Sequence, residues 1–165
     1  MMTLSDLNAL TPEAFVETFG DVAEHSPWVA RHAAALRPFA SRDAMIDAFA
    51  AALEGASRDT QLALIRAHPD LAARAKLTED SNREQIGAGL DTLTAEEFQR
   101  FTHLNDLYKS KFDFPFIFAV KGATKQQILA GFMERVNNTA EDEFETALGQ
   151  IARIFRFRIE DRVSP

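Results

Sequence analysis

The sequence predicts an all-α fold: a single-domain helical bundle of about seven to nine helices over residues 1–165. Three observations carry that expectation. Helix-start signatures recur along the chain, and the apolar residues between them repeat at helical spacing. Only Phe116-Ile117-Phe118-Ala119-Val120 resembles a strand, and no second run is present for it to pair with.

In chain order, a short helix is expected near 5–9, and Thr11-Pro12-Glu13 supplies a cap and a first-turn proline for 11–20. A helix near 27–36 follows Ser26-Pro27. Ser41 caps 42–54, where Ala44, Ile46, Phe49, Ala50 and Leu53 form the apolar face. Ser57 caps 58–68, with Leu62, Leu64 and Ile65 inward. Ser81-Asn82-Arg83-Glu84 has the capping-box pattern within 79–88, as do Thr94-Ala95-Glu96-Glu97 at 94–111 and Thr124-Lys125-Gln126-Gln127 at 124–137. Thr139 caps the last helix, 139–161. Loops centre on Gly55, Pro69–Thr78, Gly89–Leu93 and Phe112–Ala123. Neither a low-complexity linker nor an internal repeat interrupts this pattern, which points to one domain.

Composition narrows the function classes. The net charge of −7 disfavours nucleic acid or an anionic membrane as partner. The absence of cysteine removes disulfides, thiolate catalysis and cysteine-bound metals, and suits a cytoplasmic setting. Met1-Met2-Thr3-Leu4 lacks a signal-peptide pattern, no apolar run reaches membrane length, and Val163-Ser164-Pro165 is not a peroxisomal tripeptide. Fourteen phenylalanines stand against one Trp and one Tyr, so about ten or more are expected to form a Phe-rich core.

The candidate chemistry centres on His68-Pro69-Asp70-Leu71, followed by Ser81, Glu84 and Gln85. An imidazole titrates near neutrality, and Pro69 ends the helix beside it, which suits either proton transfer or a structural C-cap. Ser81, Glu84 and Gln85 share a helix face at i, i+3 and i+4; capping explains the first two, but not Gln85. In the last helix Phe144, Ala147, Leu148, Ile151, Ile154 and Phe155 occupy one arc. Arg158 falls within that arc, whereas Arg153 and Arg156 fall opposite. A buried arginine needs a partner, either an internal carboxylate or a ligand's anion or carbonyl. Phe112-Asp113-Phe114-Pro115-Phe116-Ile117 reads as a loop that lays backbone groups along a pocket. His25, beside Ser26-Pro27-Trp28, reads as a cap or packing residue, His32 and His103 sit in helical segments without an acidic or histidine partner at ligand spacing, and no metal site is expected.

Together these residues resemble the 2-oxo-4-hydroxy-4-carboxy-5-ureidoimidazoline (OHCU) decarboxylases of urate breakdown. The resemblance runs from Leu7-Asn8-Ala9-Leu10 through Glu24-His25-Ser26-Pro27-Trp28, Arg37-Pro38-Phe39 and His68-Pro69-Asp70-Leu71-Ala72. It continues with Ser81, Glu84-Gln85, Ala88-Gly89-Leu90, Asn105, Tyr108, Lys111-Phe112 and Phe114-Pro115-Phe116-Ile117, and closes with Arg135, Asn138, Glu141 and Arg158. It implies a single helical domain, often dimeric, that needs no cofactor and forms (S)-allantoin by stereospecific loss of CO2. It matches His68 to the main catalytic residue, Glu84 and Gln85 to the acid and amide, and Arg158 to a late arginine. Asp113 departs from the pattern, which usually has glycine between the two phenylalanines; aspartate tolerates unusual backbone angles better than most residues.

The implied chemistry needs no metal, because the adjacent C=N bond of the substrate accepts the electron pair left by CO2. His68 is expected to mediate proton transfer, with Glu84 orienting it. Pro69, Ser81, Gln85, the Phe116, Ile117, Phe118 and Ala119 segment, and Arg158 are expected to bind the small-molecule substrate. Two other readings compete: a lyase or hydrolase acting on a different ureido or hydantoin-like compound, and a helical protein-binding module with Phe114–Phe118 as an exposed anchor.

Overall fold

Hydroxyl side chains start most of the helices. In the computed structural model, which describes residues 1–73 and 77–165, helix α1 (Leu4–Asn8) is capped by Thr3 and α2 (Pro12–Phe19) by Thr11. A 3₁₀ turn, Gly20–Val22, extends α2, and α3 spans Trp28–Ala34. Ser41 caps α4 (Arg42–Glu54), and the Ser57 hydroxyl accepts from the Thr60 amide at the start of α5 (Arg58–Ala67). Thr78 caps α6 (Glu79–Gly87). Full capping boxes open α7 (Ala95–Phe112) and α8 (Lys125–Arg135), and Thr139 accepts from Asp142 at the head of α9 (Ala140–Arg162). The fold is therefore all-α, with nine α-helices among the described residues.

One start differs from the sequence reading. The Ser81–Glu84 capping box does not form; Thr78 Oγ1 accepts from the Ser81 amide, so Ser81 lies inside the first turn of α6. Glu79 and Asp80 favour the earlier start, because their charges complement the N-terminal end of the helix dipole. Among the described residues the strand-like run Phe116–Val120 has no ladder partner, and it is non-helical, as expected. Within the loop expected at Pro69–Thr78, Arg74, Ala75 and Lys76 lie outside the described residues.

The described residues group into two compact units, Met1–Ala67 with Ala152–Pro165, and His68–Ile151. In the first, Phe15 packs against Phe19, Phe39 and Phe49, and Phe49 meets Phe155 edge-on at 6.1 Å. Arg37 lies over the Phe15 ring and donates to the Leu7, Leu10 and Ala34 carbonyls, joining the C-terminal ends of α1 and α3 with one side chain. Met2 and Val163 pair through the Met2 amide to the Arg162 carbonyl and the Ser164 amide to the Met2 carbonyl. In the second unit, Tyr108 is ringed by Phe112, Phe114, Phe116 and Phe132. Eleven of the fourteen phenylalanines are buried, which matches the expected Phe-rich core.

Helix α7 ends on Asp113, in the left-handed region at φ 62° and ψ 27°, and its amide bonds to the Lys109 carbonyl. Glycine takes this conformation without steric penalty, and aspartate is among the few other residues that take it readily. Asp113→Gly is therefore expected to stay within about 1 kcal/mol of the parent, whereas Asp113→Val is expected to destabilise by about 1–2 kcal/mol. Urea unfolding of the two variants checks this.

Candidate active site

His68 directly follows α5 and is buried, while Pro69 and Asp70 are partly exposed. Two residues on, the chain turns sharply, and Ala72 takes a positive φ of 60°. Helices α6 and α7 fasten this turn. Gln85 Oε1 accepts from the Ala72 amide at 3.0 Å, and Asn105 Nδ2 donates to the Leu71 carbonyl at 2.9 Å. Lys109 Nζ meets Asp70 Oδ2 at 2.6 Å.

Ser81, Glu84 and Gln85 share one face of α6, as their spacing predicts. Ser81 and Gln85 are buried and Glu84 is half-buried, while Asn82, Arg83 and Ile86 are exposed. The structure thus joins Gln85 directly to the turn that carries His68, and places Ser81 and Glu84 along the same helix face.

The Phe116–Ala119 segment is held by groups that sequence reasoning did not assign. Glu143, with 0% exposure, accepts from Tyr108 at 2.6 Å, from Arg135 Nε at 2.8 Å and from Asn138 at 2.9 Å. Arg135 also donates to the Ile117 carbonyl at 2.6 Å and lies 4.4 Å over the Phe116 ring. Phe116 stacks on Phe132 at 3.9 Å, and Gln150 accepts from the Ala119 amide at 2.9 Å. Two backbone groups of the expected substrate-binding segment are therefore already bonded to side chains. Burial, and then the neighbouring Glu143 carboxylate, push the Tyr108 phenol far above its ordinary value. One signal pointed to Glu143: on the α9 helical wheel it lies only about 20° beyond the apolar arc.

In the first unit, Arg158 lies on the core side of α9 with 3% exposure, as its helical phase predicts. It donates to Glu24 Oε1 at 2.8 Å and to the Val22 carbonyl at 3.1 Å, so an internal carboxylate is one of its partners. Leu148, expected in the same arc, is only half-buried. Arg153 is exposed, and Arg156 is partly exposed on Asp43 and Glu160.

The exposed-anchor reading of Phe114–Phe118 fails, because Phe114, Phe116 and Ile117 are buried in the second unit's core and Phe118 is partly covered. His25, His32 and His103 are exposed. Among the described residues, no three histidine, aspartate or glutamate side chains converge to hold a metal ion, and no helix is long and apolar enough to cross a membrane.

An all-helical chain with a buried histidine ahead of a fastened turn, and with polar groups aligned along the next helix, has the features of a small-molecule enzyme. Residues 8–160 match the family model for OHCU decarboxylase, and the chain belongs to that family. It is 42% identical to the 2-oxo-4-hydroxy-4-carboxy-5-ureidoimidazoline decarboxylase of Haloferax volcanii, over 99% of this chain and 97% of that protein. Among solved structures, it resembles an (S)-allantoin synthase with a TM-score of 0.83 and 31% identity, covering 99% of this chain and 54% of that one. It also resembles an OHCU decarboxylase crystallised in the presence of (S)-allantoin, with a TM-score of 0.72 and 25% identity, covering 88% of this chain and 96% of that one.

The buried Glu143 network makes two outcomes measurable. Glu143→Ala strands the Arg135 guanidinium in the interior and is expected to cost about 3–5 kcal/mol in urea unfolding. Tyr108, with its raised folded value, keeps its proton after an unfolded tyrosine begins to lose one near pH ~10. Its contribution is complete below that point and is lost as pH rises further, so stability falls above pH ~10. Tyr108→Phe is expected to remove that part of the alkaline slope, measured as melting temperature against pH.

Proposed function

We propose that this protein decarboxylates 2-oxo-4-hydroxy-4-carboxy-5-ureidoimidazoline to (S)-allantoin in urate degradation, as a carboxy-lyase. The observation that carries this reading is full-length similarity to OHCU decarboxylases, together with a buried His68 heading the fastened His68–Ala72 turn. The family match runs without a break across both compact units, which supports one functional domain over residues 1–165. We further infer a cytoplasmic enzyme that works without an added cofactor, takes no nucleic acid or membrane as partner, and assembles as a homodimer.

The reaction explains why these side chains suffice. Breaking the bond to the carboxylate releases CO2 and leaves an electron pair on the hydroxyl-bearing ring carbon. That pair forms a bond to the neighbouring ureido-bearing carbon, and the C=N electrons move onto nitrogen, which takes a proton. The ureido-bearing carbon then takes a proton on one face, and the hydroxyl loses its own to become a carbonyl. One proton in total comes from solvent, so no oxidant is consumed.

His68 mediates proton transfer at the hydroxyl-bearing centre, and Glu84, on the α6 face that carries Gln85, orients or tunes it. Delivery of a proton to a single face of the ureido-bearing carbon makes the product chiral. Ser81 and Gln85 hydrogen-bond ring and ureido groups, Pro69 shapes the wall beside the imidazole, and the Phe116, Ile117, Phe118 and Ala119 segment completes recognition. Arg158 is kept as a substrate-binding residue on its match to the family pattern; its planar fork suits an oxygen that gains negative charge.

Fresh substrate made enzymatically from urate tests the proposal. Catalytic amounts of the protein, dialysed against chelator, are expected to accelerate its loss and to yield optically active allantoin; racemic product at the spontaneous rate overturns the reading. His68→Asn is expected to keep the helical circular dichroism and lower turnover by about two orders of magnitude or more. Near-parental turnover in that variant removes His68 from the mechanism.

A further inference from the structure

The Leu71 carbonyl and the Ala72 amide belong to one peptide bond, and each is bonded to the side-chain amide of a different helix. Gln85 from α6 takes the N–H at 3.0 Å, and Asn105 from α7 supplies an N–H to the C=O at 2.9 Å. Leu71, Ala72, Gln85 and Asn105 are all buried, so water does not substitute readily for either bond. The peptide plane is thus fixed from both edges, three residues beyond His68. Ala72 needs this support, because its φ of 60° is a region that residues with a Cβ seldom adopt.

Asn105 is not an economical choice for packing. Its Oδ1 is buried without a hydrogen-bond partner among the described residues, an arrangement that disfavours folding. What the side chain contributes is the donor to Leu71. We propose that Asn105 is a positioning residue for the decarboxylation: with Gln85 it clamps the Leu71–Ala72 peptide and so holds the His68–Ala72 turn in its working shape. This rests on the assignment of His68 to proton transfer made above.

The clamp also fixes the orientation of Gln85. Because Oε1 accepts from the buried Ala72 amide, the Nε2 donors are the N–H groups this side chain holds for a ligand. The substrate group that Nε2 meets is then a hydrogen-bond acceptor, a carbonyl or carboxylate oxygen. Asn105 and Gln85 therefore have separable roles. Asn105 controls how well the histidine is aimed, which appears in kcat, while Nε2 of Gln85 controls how well substrate is held, which appears in KM.

The test compares Asn105→Ala and Gln85→Glu with the parent by steady-state kinetics, hydrogen exchange at the Ala72 amide, and NMR of the His68 ring. The parent is expected to protect the Ala72 amide at least a hundredfold over an unstructured chain. Asn105→Ala is expected to lose most of that protection, broaden or shift the His68 ring signals, and lower kcat at least tenfold with KM within about threefold. Gln85→Glu keeps an acceptor for Ala72 but loses both donors, so protection persists while KM rises at least tenfold. A folded Asn105→Ala with parental kcat overturns the clamp, and so does an unprotected Ala72 amide in the parent. Should Asn105→Ala fail to fold, Asn105→Ser and the exchange rate in the parent decide by the same criteria. A parent that protects Ala72 but does not turn over OHCU refutes the functional reading and leaves the clamp standing.

Discussion

The fully buried carboxylate of Glu143 organises the interior of the His68–Ile151 unit. Glu143 enters from α9 with no exposure, where an unpaired charge would cost several kcal/mol. Tyr108 from α7, Arg135 from α8 and Asn138 between α8 and α9 offset that cost with three hydrogen bonds. The arrangement links three helices at one point, and Arg135 passes its effect on to the Ile117 carbonyl and the Phe116 ring. The Phe114–Ala119 segment cannot satisfy its own backbone: Pro115 has no N–H, and among the described residues no strand lies alongside. Its shape is set by α8 and α9 side chains, Arg135 on one carbonyl and Gln150 on one amide. The network thus fixes the shape of a segment that has no regular secondary structure of its own.

Among the described residues, each unit contains one buried arginine paired with one buried glutamate: Arg135 with Glu143, and Arg158 with Glu24. In both cases the guanidinium does more than neutralise charge. Arg135 spans a carboxylate and a carbonyl, and so does Arg158, through Glu24 and the Val22 carbonyl. A lysine ammonium, held on one flexible stem, does not reproduce this fixed fork. The exposed pair between Arg156 and Asp43 differs in kind, because solvent screens it and its geometry is loosely held, so it adds little to stability.

Local signals were the legible part of this sequence. Thr11, Ser41, Ser57, Thr94, Thr124 and Thr139 were read as caps because a capping hydroxyl and the amide it serves lie three residues apart. Arg158 was legible as a core-side residue because its phase depends only on its own helix. Its partner Glu24 was not, since 134 residues separate the two and nothing local joins them. Asn105 stood in the motif set without a role, because its bond to Leu71 crosses 34 residues. Glu143 sat at the margin of the apolar arc, and its significance depended on where α7 and α8 place Tyr108 and Arg135. Periodicity says which residues turn inward; it does not say which of them meet.

The start of α6 shows how a local choice bears on chemistry. The chain offers two overlapping signatures there, Thr78 followed by Ser81, and Ser81 followed by Glu84, and only one of them can cap the helix. Had Ser81 been the cap, its hydroxyl would serve the Glu84 amide and the Glu84 carboxylate would reach back to the helix start, which commits both groups to structure. Thr78 takes that role instead, aided by Glu79 and Asp80 in the first turn. Ser81 and Glu84 then lie within the helix beside Gln85, on the face whose amide holds the Ala72 turn. The serine and glutamate that looked like a capping pair lie instead within α6, because a threonine one turn earlier caps the helix.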